Sequence, residues 1–266
     1  MRNRLFALCL AMLCTTLLGA ETLQHIEPPC WWVGMNTELQ LMLHGRGLRD
    51  AKVTTDASVK GLTVTKVTSA DNDDFLFVDV RVSDRLKPGS YHFNVLTADG
   101  RQYDFDYAFL ARRKGSAKRD SFGPSDAVYL LMPDRFANGS KTNDSSSETA
   151  EKSNPKNLGG RHGGDIQGII DHLDDIYKLG ATTIWSTPLL LDNEKSYSYH
   201  GYACADYYHI DPRFGDNAHY RQFVDEAHGK GLKVIMDIVT NHCGTAHWWM
   251  DNPPFPDWYQ IGRAHV

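Results

Sequence analysis

Three short apolar runs, at residues 127–132, 182–186 and 232–236, are separated by two stretches whose apolar residues recur at helical spacing. Apolar runs of this length read as strands buried on both faces. Ile166, Ile169, Ile170, Leu173 and Ile176 make one helical stripe, ended by Gly180; Tyr220, Phe223, Val224 and Ala227 make another, closed by Gly229 and Gly231. Strand and helix alternating in this way call for a parallel sheet, because parallel neighbours need a crossover between them. A (β/α)8 barrel and a doubly wound open sheet share the local pattern. Long loops after the strands, such as the Ser-, Asn- and Glu-rich stretch 133–164, match the start of a barrel, whose loops on that side carry its chemistry.

Ahead of residue 125 the pattern is different. Strand-like runs recur at residues 38–43, 62–67, 75–82, 90–96 and 103–109. Turn residues separate them: Gly45-Arg46-Gly47, Asp71-Asn72-Asp73, Lys87-Pro88-Gly89 and Asp99-Gly100. Asp-Gly between two strand-like runs predicts a hairpin. Short strands with regular turns predict an immunoglobulin-like β-sandwich over residues 21–112. The basic stretch 113–124 has no periodicity and reads as a linker, and the barrel domain is expected over 125–260.

The N-terminus carries Arg2 and Arg4 before an apolar run, residues 5–18, interrupted only by Thr15 and Thr16; Gly19-Ala20 then precede Glu21. This is the pattern of a secretory signal peptide spanning residues 1–20, and the run is too short for a membrane span. An exported, periplasmic protein is expected. A net charge of −5 with no basic patch gives nothing for nucleic acid to bind. Three cysteines follow the leader: Cys30, Cys204 and Cys243. Their spacing fits no zinc pattern; a Cys204–Cys243 disulfide and three structural thiols are both open. Residues 261–266 have no structural logic. They correspond to one reading frame of a common sequencing-adapter oligonucleotide and read as an artefactual tail.

The third apolar run leads into Asp237-Ile-Val-Thr-Asn241-His242. An acid, an amide and an imidazole thus sit where a strand becomes a loop, the chemical end of a parallel barrel. Three further segments carry comparable polar clusters: Met132-Pro-Asp-Arg-Phe-Ala-Asn-Gly139; Gly163-Gly-Asp-Ile-Gln-Gly-Ile-Ile-Asp-His-Leu173; and Tyr199-His-Gly-Tyr202 with Asp206-Tyr-Tyr-His-Ile-Asp-Pro-Arg-Phe-Gly215. Together, in this order, the four segments resemble the α-amylase family, glycoside hydrolase family 13. They are most similar to its cyclomaltodextrinase/neopullulanase branch, which includes exported starch-utilisation enzymes of Bacteroidetes. Ile26-Glu-Pro-Pro-Cys-Trp-Trp-Val-Gly-Met35 resembles the β-sandwich that precedes the barrel in that branch.

The resemblance implies roles by motif. Asp237 corresponds to the aspartate that supports the catalytic centre from strand three. His242 corresponds to the histidine that hydrogen-bonds the sugar beside the scissile bond, an imidazole being able to donate from one nitrogen while a neighbour orients the other. Asn241 corresponds to a structural residue, a calcium ligand in some relatives, and is grouped with the substrate-binding residues. Tyr202 corresponds to the aromatic that stacks on the same sugar, accompanied by His200. Asn138, Asn143, Asp144, Gly163 and Asp165 correspond to a calcium site, whose hard cation takes six to eight oxygen ligands. Relatives often carry Asp at the position of Ser140. Asn138 and Asn143 also begin glycosylation sequons, and asparagines in such a loop serve equally as turn residues.

Retaining glycosidases use two carboxyl groups about 5–5.5 Å apart. In the family the nucleophilic Asp follows strand four, the acid/base Glu follows strand five and a further Asp follows strand seven. A full barrel takes on the order of 250 residues, more than follow residue 125. The expectation is therefore a fragment: a sandwich, then the first three βα units of a truncated barrel, lacking nucleophile and acid/base and inactive alone. The intact protein is expected to cleave α-1,4-glucosidic bonds in α-glucans or maltooligosaccharides, and the branch implies a homodimer through the N-terminal domain. Alternatives are a transglycosylase or isomerase of the family, a non-catalytic glucan-binding protein on the same fold, a zinc enzyme using His200, His242 and His247, and an adhesive role for the sandwich.

Overall fold

A computed structural model describes residues 22–119 and 121–259. The leader at 1–20 and the tail at 261–266 lie outside the described residues. The chain divides into two compact units, one of residues 22–116 with 254–259, the other of residues 117–253 without Asp120.

The first unit is a β-sandwich of eight strands: β1 (His25–Glu27), β2 (Cys30–Trp32), β3 (Glu38–His44), β4 (Lys52–Thr55), β5 (Leu62–Ser69), β6 (Phe75–Val82), β7 (Gly89–Leu96) and β8 (Gln102–Leu110). One sheet has the order β1-β3-β6-β5, the other β2-β8-β7-β4. Alternation builds the core. Along β8, Tyr103, Phe105, Tyr107 and Phe109 point inward while Asp104 and Asp106 point out. Phe93 stacks on Phe105 with ring centroids 5.0 Å apart. The Asp99-Gly100 hairpin forms as its sequence predicts, joining β7 and β8 with Leu96 opposite Gln102; Gly100 supplies the positive φ of +87° that the turn needs. Three strands lack a sequence signal. β1, β2 and β4 are three or four residues long, and β2 pairs with β8 in parallel across a long stretch of chain.

Residues 254–259, the end of the stretch read as the barrel domain, pack within the sandwich unit. Phe255 stacks on Phe77 at 5.8 Å, Trp258 lies 6.4 Å from the same ring, and Asn72 N donates to Pro254 O at 3.1 Å. Phe77 sits on the outward face of β6, and aromatic burial there outweighs continuity with the preceding residues.

The second unit holds β9 (Val128–Leu131), the short helix α1 (Pro133–Phe136), helices α2 (Ile166–Asp171) and α3 (Leu173–Lys178), β10 (Thr183–Ser186), β11 (Leu190–Asp192), β12 (Cys204–Ile210), α4 (Asn217–Gly229) and β13 (Lys233–Met236). β9, β10 and β13 lie side by side and parallel, with Trp185 between Leu130 and Ile235. One face of this sheet is buried under the helices, where Leu131 and Ile184 join Ile166, Ile169, Leu173, Phe223 and Ala227. The other carries Val128, Leu130 and Trp185 exposed. Three parallel strands with helices on one face are what the first βα units of a truncated (β/α)8 barrel present, the exposed face corresponding to the interior of such a barrel. The helical stripe 166–176 forms two helices rather than one. His172 departs from helical geometry (φ −109°, ψ 11°), ending α2 and starting α3. No helix follows β13 among the described residues, only the single 3-10 turn Trp248–Met250. Of the stretch read as a linker, Ser121 and Gly123 are held within this second unit: Ser121 O accepts from Lys233 Nζ at 2.9 Å, and Gly123 N donates to Asp126 at 2.7 Å.

Candidate functional site

Asp237 follows the last residue of β13, at the C-terminal end of the parallel sheet. Its Oδ2 accepts two hydrogen bonds, from Trp185 Nε1 at 3.1 Å and from Tyr202 Oη at 3.2 Å. Trp185 reaches it from the neighbouring strand because period-2 alternation turns the indole to the face opposite Ile184. Tyr202 arrives on the loop between β11 and β12. That loop is shaped by a 3-10 turn at Ser198–His200 and by Gly201 at φ +79°, where a Cβ would run into the Pro188 carbonyl. Burial and the neighbouring Asp237 carboxylate raise the Tyr202 phenol above its ordinary pKa, keeping it a neutral donor.

His200 and Tyr202 are coupled locally: Tyr202 N donates to His200 Nδ1 at 2.9 Å, and the rings are 5.7 Å apart. Burial lowers the pKa of His200, favouring the neutral imidazole that this acceptor role requires. His242 Nε2 lies 2.9 Å from Tyr202 O, so the hydrogen bond places its proton on Nε2; Nδ1 then accepts from Asn241 Nδ2 at 3.3 Å. Tyr207 Oη donates to His242 O at 2.8 Å, anchoring that loop. The structure therefore brings together all five residues singled out for catalysis or sugar binding: Asp237, His200, Tyr202, His242 and Asn241. His242 Nε2 is occupied by the Tyr202 carbonyl.

A buried ionic network supports these loops. Asp134, fully buried, accepts from His162 N (3.0 and 2.9 Å), Gly163 N (3.2 Å) and Arg135 Nη1 (2.6 Å). Arg161 is buried between Asp134 (3.8 Å) and Asp211 (3.6 Å), and Arg213 pairs with Asp211 at 2.6 Å. Buried charges are tolerable only when paired in this fashion. The Asp and Arg of the Met132–Gly139 segment, with Asp211 and Arg213, are thus the framework that fastens the 133–164 loop, and the sequence motifs gave no indication of that division of labour.

The residues expected to hold calcium also converge. Asn138 Nδ2 donates to Asp144 Oδ1 at 2.7 Å, and a Cβ at Gly163 (φ +92°) would lie 2.7 Å from both atoms. Asp165 caps α2 through Gly168 N at 2.7 Å and accepts from Gly139 N (3.1 Å) and Ser140 N (2.9 Å). Asn143 points its carboxamide at Ser140 O and at Asp165 Oδ2. With its nitrogen turned inward the carboxamide donates to both, the second at 3.2 Å. Carboxylates, amide oxygens and backbone carbonyls are the donor set that a hard divalent cation takes, so the residues fit calcium. Among the described residues no three His, Cys, Asp or Glu side chains form a common ligand group, and His200, His242 and His247 do not assemble as one. Among the described residues Cys204 and Cys243 form no disulfide; burial pushes the Cys204 thiol up to about 12.

Trp185 is the site residue that sequence reasoning missed. The available signal was alternation: a tryptophan one residue before the end of a parallel strand and out of phase with the helix-facing Ile184.

Residues 130–259 match the α-amylase catalytic domain, and residues 25–113 match the cyclomaltodextrinase N-terminal domain. Neopullulanase 2 of Thermoactinomyces vulgaris is 38% identical over 142 residues, 53% of this chain and 23% of that protein. A cyclomaltodextrinase of a Bacillus species is 31% identical over 223 residues, 78% of this chain and 38% of that protein. The cyclomaltodextrinase of Thermoanaerobacter pseudethanolicus is 44% identical over 117 residues, 44% of this chain and 20% of its own length. The matched region spans well under half the length of each relative. With the sandwich matched to the N-terminal domain and the parallel-strand unit matched to the catalytic domain, the chain belongs to the α-amylase family of glycoside hydrolases, in the cyclomaltodextrinase/neopullulanase branch.

Proposed function

We propose that this chain is the N-terminal part of a retaining α-glucan hydrolase acting on α-1,4-glucosidic bonds. The observation that carries the reading is the convergence of Trp185 and Tyr202 on one oxygen of Asp237, with His242 and His200 fastened to the Tyr202 backbone. A carboxylate held by two neutral donors keeps its orientation. That suits an oxocarbenium-like transition state, which gains from nearby negative charge. Tyr202 and Trp185 add apolar faces on which a sugar ring can lie. The nucleophile and acid/base would come from strands beyond β13, and none of the carboxylates of this chain is assigned those roles.

Calcium, held by Asn138, Asn143, Asp144, Gly163 and Asp165, would supply a positive centre that ties the 133–164 loop to the start of α2. Its role in this reading is structural. Export to the periplasm follows from the leader at 1–20, and dimerisation through the sandwich from the branch resemblance. Both are parts of the proposal.

The test is to express the complete gene product and to follow maltoheptaose, cyclodextrin and pullulan by chromatography, reading the anomer of the first product by NMR. Hydrolysis with retention supports the reading, and the 266-residue chain should show none. Transfer products would reassign the reaction to a transglycosylase. Glucan binding without cleavage by the complete protein would reassign it to a binding protein.

A further inference from the structure

We infer that Asp192 and Glu194, carried on a single turn, are the positioning residues that hold the two sugar-facing loops in register; the inference rests on the glucan reading of the site.

Asp192 ends β11 and is fully buried. Its Oδ2 accepts from Ala203 N at 3.1 Å, the residue immediately after Tyr202, and lies 4.0 Å from His200 Nδ1. Its Oδ1 accepts from Glu194 N at 3.1 Å, so one carboxylate fixes both the Tyr202 loop and the backbone of its own turn. The backbone of Asp192 is itself held in place. Asp192 N donates to Asp211 Oδ2 at 3.3 Å, and Asp192 O accepts from Arg213 Nη2.

Glu194 then reaches the other way. Its Oε1 accepts from Thr245 N at 2.7 Å and from Thr245 Oγ1 at 2.8 Å, and Oε2 lies 3.0 Å from the same hydroxyl. Thr245 is three residues past His242. Between the two grips the loops touch directly, through Gly244 N donating to Cys204 O at 2.7 Å. A Cβ at Gly244 would press on Ala203 O and come within 3.3 Å of Glu194 Oε1, so the close approach requires glycine. The loop of Tyr202 and the loop of His242 are separated by some forty residues of sequence, yet both are braced from one three-residue stretch. Neither carboxylate touches Asp237. They act through the backbone, by charge-assisted hydrogen bonds that set where Tyr202 and His242 stand.

The test uses amide hydrogen exchange on the 266-residue chain and on Glu194→Ala, Glu194→Gln and Asp192→Asn. Glu194→Ala should speed exchange in the segment 242–247 by about tenfold, the scale of one lost hydrogen bond to a charged group, and leave 198–203 near its original rate. Glu194→Gln, which keeps an oxygen for Thr245 N, should recover most of that protection. Asp192→Asn should loosen 198–203 instead. In the complete gene product Glu194→Ala should raise KM for maltoheptaose about tenfold with kcat within about twofold, since uniform binding is lost without a transition-state contact. Exchange that rises evenly across the barrel unit, that stays unchanged, or that is the same for Gln and Ala overturns the brace. Absence of glucan hydrolysis by the unaltered gene product would remove the sugar reading alone, because the exchange pattern is read without substrate.

Discussion

Replacing Asp134 by Asn should destabilise the barrel unit by about 3 kcal/mol. Asp134 is fully buried and presents two oxygens to four donors: His162 N, Gly163 N, Arg135 Nη1 and, at 3.8 Å, Arg161 Nε. Asn keeps one oxygen and turns an N–H2 toward donors. Arg161, with a side chain 1% exposed, then loses half of its compensation. Breaking a buried pair by removing one partner costs about 3–5 kcal/mol. The lower end applies here because Arg161 retains Asp211 at 3.6 Å and Ser198 O at 3.1 Å, and Arg135 has partial access to water. The assay is urea unfolding of the chain at pH 7, followed by tryptophan fluorescence and circular dichroism, with and without about 0.5 M NaCl. Buried pairs are screened little, so the loss should persist in salt. A loss under about 1 kcal/mol, the range of an exposed ion pair, or one that vanishes in salt, would refute the view that this network carries the 133–164 loop.

Trp185→Phe should lower kcat/KM of the complete gene product about tenfold, by deleting one donor to a charged acceptor, while its melting temperature stays within a few degrees; unchanged kinetics would remove Trp185 from the site. If calcium binds as proposed, millimolar Ca2+ should raise the melting temperature and chelator should lower it, whereas Gly163→Ala, whose Cβ crowds Asn138 and Asp144, should abolish the response. No calcium-dependent shift in the unaltered protein would count against the site. Asp192 gives a pH signature. Burial raises its carboxyl to about 6 from an ordinary 3.8, so between those values the folded state holds the proton that the unfolded chain releases. Its contribution to stability is therefore fully present below the lower value and declines as pH rises through the window. Urea midpoints from pH 4 to 7 should fall less steeply in Asp192→Asn than in the unaltered chain, and identical slopes would show that Asp192 does not carry the dependence.

What the sequence alone determined is what depends on local period and on residues that have one conformational use. The inward Tyr103, Phe105, Tyr107 and Phe109 of β8, the Asp99-Gly100 turn and the three apolar strands were legible because side-chain alternation and positive φ are written within a few residues. So was the clustering of polar motifs at strand ends, since a parallel sheet puts every strand's C-terminus on one side. Tertiary structure alone decided the rest. His172 breaks a helical stripe without a glycine or proline to announce it. Phe255 and Trp258 pack against Phe77, about 180 residues earlier in the chain, rather than with the unit they follow. Trp185 meets Asp237, and the Asp192–Glu194 turn grips Ala203 and Thr245, only once distant segments lie side by side. Partner choice among buried polar groups is set by which donors and acceptors the packed backbone brings within about 3 Å, and no local pattern of residues encodes that distance.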